Sequence, residues 1–304
     1  MTRLLSLMIV LVALVAEPCS ATVDIVVNTN DGLVIAADSR MTLQDSAKTR
    51  VASDYIEKIK QVGSHTAVTF CGAAHLYDST TSLRSIGSII DQYRNNSGIS
   101  ELSRIDPRAV AVGLDSLLTA LYNAAQMGNV GQGQLKLYIC GYDDGNKRRV
   151  YTLTYPNRRA GTTRPYDFYG SLDSIFASGV PGADVCGQSD VWTRMIKGYD
   201  PQLARCEWYR DVKTTTSDSL DSTLVDTVVK RETLDLGKLR YEIKYDLMTL
   251  QDAIDFAVFI VRATIEAQRF NQDAVQGVGG AIDIAVITAD GFRWIQHKQL
   301  HGED

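Results

Sequence analysis

The sequence predicts an α+β protein. Three observations point there: paired apolar segments around turn signals at both ends of the chain, amphipathic helical stretches after the first strands, and a capped helix just before the last strands. A sandwich of two antiparallel sheets between two helix layers is one arrangement that fits this order. At 304 residues and 45% hydrophobic content, the chain can bury one large core or two small ones. Its formal net charge of -5 lacks the basic excess of a nucleic-acid footprint, so no nucleic-acid partner is expected.

The N-terminus reads as an export signal. Arg3 precedes an apolar run over 4–16, followed by Glu17-Pro18-Cys19 and then Ser20-Ala21. A positive start, a short apolar centre and small residues before a cut describe a secretory signal peptide over 1–21. The run is shorter than the roughly 20 apolar residues of a spanning helix, so no stable membrane anchor is expected after processing. The protein is therefore expected to be secreted or periplasmic, with 22–304 as its single mature domain. A cytoplasmic complex carrying a propeptide is the alternative.

Export permits disulfides among Cys71, Cys140, Cys186 and Cys206. The expected bridge joins Cys186 to Cys206, which lie in one polar excursion. Cys71 and Cys140 sit in apolar runs and read equally as buried thiols. Neither the cysteines nor the histidines have metal-ligand spacing.

Apolar segments at 22–28 and 33–38 flank Asn30-Asp31-Gly32, a strong hairpin signal. A second pair, 55–62 and 66–71, turns at Gly63-Ser64-His65, giving an expected four-strand antiparallel block. Helices are expected over 73–93 and 106–126. The second opens with Asp106-Pro107, a cap followed by proline, and carries Val110, Leu114, Leu117 and Leu121 on one stripe. Strands follow at 134–142 and 149–155 around Asp143-Asp144-Gly145-Asn146, with another near 174–177. Residues 188–246 read as a polar insertion, rich in charged, Thr and Ser residues. A helix begins at Thr249, with a capping box closed by Asp252 and a stripe of Ile254, Ala257, Val261 and Ile265. A final hairpin, 281–288 with 292–296, turns at Asp290-Gly291.

Removal of the signal would make Thr22 the first residue, its hydroxyl beside its own α-amino group. An amine with an ordinary pKa near 8 is a usable base at neutral pH, and threonine activated by its own amine is an established scheme. Strand alternation puts Asp38 on a face shared with Val34 and Ala36, and Lys58 lies two residues from Ile56. Buried charges of opposite sign pair, and such a pair beside the hydroxyl would favour its deprotonation.

The segments 22–27, 31–42 (Asp31-Gly32-Leu33 through Asp38-Ser39-Arg40-Met41-Thr42), Glu57-Lys58-Ile59, Thr69-Phe70-Cys71-Gly72 and Gly279-Gly280-Ala281-Ile282-Asp283 resemble a proteasome β subunit. Counted back from Asp38 without a gap, the family's catalytic threonine falls on Thr22. The resemblance implies the N-terminal-nucleophile (Ntn) fold, a four-layer αββα sandwich. It further implies Thr22 as nucleophile, Asp38 and Lys58 as the residues that tune it, and the Gly72 N–H as oxyanion donor. Asp273 matches the family's acidic residue near the amine, and Ser178 its nearby serine.

The implied activity is that of a threonine-type peptidase acting on a peptide or protein substrate without a cofactor, in a ring-forming homo-oligomer. A small-molecule amidase, a noncatalytic scaffold subunit and an exported binding module are the alternatives. Ala21 replaces the glycine that usually precedes the threonine, and side chains around Arg40, Met41 and Thr42 would bear on substrate preference.

Overall fold

A computed structural model describes residues 22–45, 48–78, 82–127, 133–158, 168–176, 179–198, 239–270 and 275–298. The expected signal segment, Asp273, Ser178 and Cys206 lie outside the described residues, as does most of the expected polar insertion.

Two five-stranded antiparallel sheets dominate. In chain order the strands are β1 Val23–Asn28, β2 Leu33–Asp38, β3 Met41–Asp45, β4 Lys48–Ser53, β5 Ile59–Gly63, β6 Thr66–Gly72, β7 His75–Asp78, β8 Ser82–Ser85, β9 Leu135–Tyr142, β10 Arg148–Arg158, β11 Phe168–Ile175, β12 Gly182–Gly187, β13 Ile282–Thr288 and β14 Gly291–Gln296. The helices are α1 Ile86–Asn96, α2 Pro107–Met127, α3 Asp190–Lys197 and α4 Leu250–Arg269. The first sheet runs β12-β1-β2-β13-β14 and the second β11-β10-β9-β6-β5, while β3-β4 and β7-β8 form separate ribbons.

Strand alternation sorts the core into three apolar layers. Val23, Ile25 and Val27 of β1 pack outward with Ala253, Ala257, Ile260 and Val261 of α4. Val26, Leu33 and Ile35 turn inward and meet Ala67, Tyr138 and Cys140 of the second sheet. The outer face of that sheet, including Val68, Phe70, Leu137 and Ile139, is covered by α1 and α2. The result is the four-layer αββα sandwich of the Ntn fold.

Local chemistry sets the helix starts. The Ser85 side chain accepts from the Ser88 N–H, and Thr249 closes a complete capping box with Asp252. Asp106 accepts from the Arg108 N–H ahead of α2. On that helix Val110, Leu114, Leu118 and Tyr122 are buried, so Val110 and Leu114 of the expected stripe are in the core while Leu117 and Leu121 lie at its margin. At 3.6 residues per turn the buried stripe continues in steps of four, from Leu114 to Leu118 and Tyr122, rather than through Leu117 and Leu121.

Three expectations are corrected. The stretch 73–93 is not one helix: it folds as β7 and β8, and only then as α1. Its polar break after Asp78 and the cap at Ser85 mark the division, while Leu76 points into the core with alternating neighbours. The N-terminal strands do not form one block, because β1-β2 and β5-β6 enter different sheets. The ribbon β3-β4 between them carries the chain across. The disulfide joins Cys71 to Cys186, not Cys186 to Cys206, and Cys140 is a buried thiol.

Candidate active site

At the ends of the central strands, Thr22 enters β1, Asp38 closes β2 and Lys58 precedes β5. All three are buried, at 3%, 1% and 3% exposure. The Thr22 hydroxyl donates to Asp38 Oδ1 at 2.9 Å, and Lys58 Nζ bonds Asp38 Oδ1 at 2.5 Å. Lys58 Nζ also donates to Thr22 Oγ1. The hydroxyl oxygen therefore faces an ammonium while its proton points at a carboxylate.

The carboxylate is fixed from the backbone as well. Its Oδ1 accepts from the Val23 N–H at 3.0 Å, and its Oδ2 from Gly279 N–H at 2.9 Å and Arg40 N–H at 3.1 Å. Donors on both oxygens compensate a buried anion, which would otherwise be costly. Gly279 reaches Asp38 because the loop after α4 is pinned by Gln268 Oε1, which accepts from the Gly277 and Val278 N–H groups.

Two glycines let the backbone close around Thr22. Gly187 has φ +83°, and a Cβ there would stand 1.9 Å from the Thr22 carbonyl oxygen. That carbonyl accepts from the Gln188 N–H at 2.6 Å, so the turn after β12 holds the threonine by its backbone. Gly72 has φ +92°, and a Cβ there would meet the Gln134 carbonyl oxygen at 2.3 Å. Only glycine fits either turn without strain.

Thr22, Lys58, Gly72 and Gly187 line one cleft of about 780 Å³. Its rim comes from the two ribbons, through Met41, Thr42 and Leu43 on one side and His75, Tyr77 and Leu83 on the other. Burial lowers the His75 pKa below the ordinary imidazole value. Arg40 also lines the cleft and is clamped by Asp54 at 2.6 and 3.0 Å. The guanidinium holds the Asp54 carboxyl below its ordinary value.

The structure thus brings Thr22, Asp38, Lys58 and Gly72 together, whereas Asp273 and Ser178 lie outside the described residues. Two features of the cleft were not picked out in the sequence. Ser189, just after the Gly187 turn, lines it beside Thr22. The Cys71–Cys186 disulfide forms part of its wall, each cysteine directly preceding one of the two turn glycines. A Cys-Gly pair at each site was the available signal.

Residues 21–168 match the family model described as proteasome subunit. A comparison with curated proteins found no match.

Proposed function

Since this chain is of the proteasome-subunit type, we propose that it is a threonine-type peptidase whose nucleophile, Thr22, is released by removal of the export signal. The observation that carries the reading is the hydrogen-bonded group of Thr22, Asp38 and Lys58, buried yet open to a cleft. The family match begins one residue before Thr22, which supports a functional boundary at that point.

In the full chain the Thr22 nitrogen is an amide, and cutting after Ala21 turns it into an amine able to accept the hydroxyl proton. Thr22 Oγ1 then attacks the substrate carbonyl carbon, and the carbonyl electron pair moves onto oxygen. The Gly72 N–H is the proposed donor to that oxyanion. Collapse breaks the C–N bond, the leaving amine takes the proton, and water hydrolyses the ester left on Thr22. Lys58 stabilises the alkoxide, and Asp38 holds Lys58 in place. Asp273 and Ser178 are proposed to orient the new amine. The open cleft favours an extended peptide, and a homo-oligomeric ring is the proposed assembly.

N-terminal sequencing of the mature protein, with hydrolysis of a peptide-amide panel by wild type and Thr22→Ala, tests the reading. The expected result is a chain beginning at Thr22 whose activity the substitution abolishes. A different mature N-terminus, or activity surviving Thr22→Ala, would sink it. Normal processing without turnover would favour a scaffold subunit.

A further inference from the structure

Asp24 lies two residues beyond Thr22 on β1 and has no solvent exposure. Its side chain points between the sheets, on the face where Val26 is apolar. In register it stands between Ala37 of β2 and Cys186 of β12. Across the gap, Thr69 of β6 donates its hydroxyl to Asp24 Oδ2 at 2.6 Å. Among the described residues Oδ1 has no hydrogen-bond partner.

An ionised carboxylate buried this way would have one oxygen uncompensated in a low-dielectric interior. Lys58 cannot fully neutralise it, because its ammonium is engaged by Asp38 and Thr22. We propose that Asp24 is a positioning residue for the reaction at Thr22. Kept protonated, it leaves the interior beside the nucleophile without a second anion, and its ionisation turns the site off from the alkaline side. This inference rests on the peptidase reading given above.

The charge balance explains the effect. Lys58 and Asp38 cancel, and attack by Thr22 moves the hydroxyl proton onto the Thr22 amine while one negative charge forms on the former carbonyl oxygen. A second buried anion nearby would oppose that oxyanion and would compete with Asp38 and Thr22 Oγ1 for the Lys58 ammonium that holds the nucleophile in place. Burial, reinforced by Asp38, pushes the Asp24 carboxyl up to about 8, against the lowering influence of Lys58 and the Thr69 hydrogen bond. Among the described residues, the other ionisable groups around this interior are Tyr138, Cys140, Asp184 and Lys136, together with Asp283 of β13, which is buried on the same face and paired with Lys298. Burial raises Tyr138 and Cys140, keeping both neutral, and Asp184 is paired with Lys136 at 3.0 Å. Among the described residues facing this interior, Asp24 is therefore the carboxyl without an ion-pair partner.

The test compares mature wild type, Asp24→Asn and Thr69→Val in kcat/KM against pH with a peptide amide. Wild-type kcat/KM should fall above about pH 8, while Asp24→Asn at pH 9.5 should keep an about 10-fold or larger share of its pH 7 value. KM should be unchanged, because Asp24 does not touch substrate. Thr69→Val removes the donor that favours the charged form, so its alkaline fall should move to higher pH.

Melting provides a readout independent of turnover. The folded carboxyl binds a proton that the unfolded one, with a pKa near 3.9, has released, so wild-type stability falls as pH rises from about 4 to about 8. The Tm of Asp24→Asn minus that of wild type should therefore grow over this range and level off above it. Superimposable pH profiles in an active wild type, or a flat Tm difference, would overturn the assignment alone. A wild type that hydrolyses no amide would overturn the peptidase reading and Asp24's part in it.

Discussion

Asp38 accepts from five donors at 1% exposure: the Thr22 hydroxyl, the Lys58 ammonium and the N–H groups of Val23, Arg40 and Gly279. Lys58 is the charged member of that set, so removing it strands a buried anion. Lys58→Ala should cost about 3–5 kcal/mol of stability, measured by denaturant unfolding, and should abolish hydrolysis. Gly187→Ala attacks the site differently. Its methyl group would overlap the Thr22 carbonyl oxygen at a positive φ, so Thr22 must shift. The expected result is a roughly 100-fold loss of kcat/KM, since displacements of about 1 Å cost that much. Wild-type kinetics in Gly187→Ala would show that Thr22 does not depend on the turn for its position.

The elements divide into those that carry the site and those that cover it. β1, β2 and β12 bring Thr22, Asp38 and Gly187 to one end of the first sheet, while α4 covers its outer face. The N-terminus of α4 is capped at an exposed surface by Thr249 and Asp252. Thr249→Ala should therefore lower stability by about 1 kcal/mol in chemical denaturation and leave kcat/KM unchanged. A matching loss of activity would mean that the helix start is coupled to the loop holding Gly279.

At the scale of the whole molecule, the Cys71–Cys186 disulfide ties the two sheets together beside the cleft, across a sequence separation of 115 residues. Closing so long a loop restricts the unfolded chain, and removing a native bridge of this kind typically costs about 2–5 kcal/mol. Cys71→Ser with Cys186→Ser should lower the unfolding midpoint accordingly, and a reducing agent should do the same to wild type. An unchanged midpoint under both treatments would show that sheet packing alone holds the sandwich. Both cysteines line the cleft, so hydrolysis should fall with the bridge.

The sequence by itself determined the periodic and local features. Turn signals marked the β1-β2 and β13-β14 hairpins and the Thr249 box marked α4, because these are written in neighbouring residues, while Thr22 was picked out by the family resemblance counted back from Asp38. It misread 73–93 as one helix, since short ribbons with mixed polarity give little period to detect, and it left the ribbon β3-β4 unseen. Tertiary structure alone decided which sheet each hairpin joined, that Cys71 rather than Cys206 faces Cys186, and that Ser189 lines the cleft. It also revealed Asp24 as a carboxyl sealed between two sheets, where a strand pattern alone shows only a polar residue in an apolar run. The physical reason is common to all of these. Each depends on two surfaces meeting across a core, and the residues that meet are held together by packing rather than by their distance along the chain.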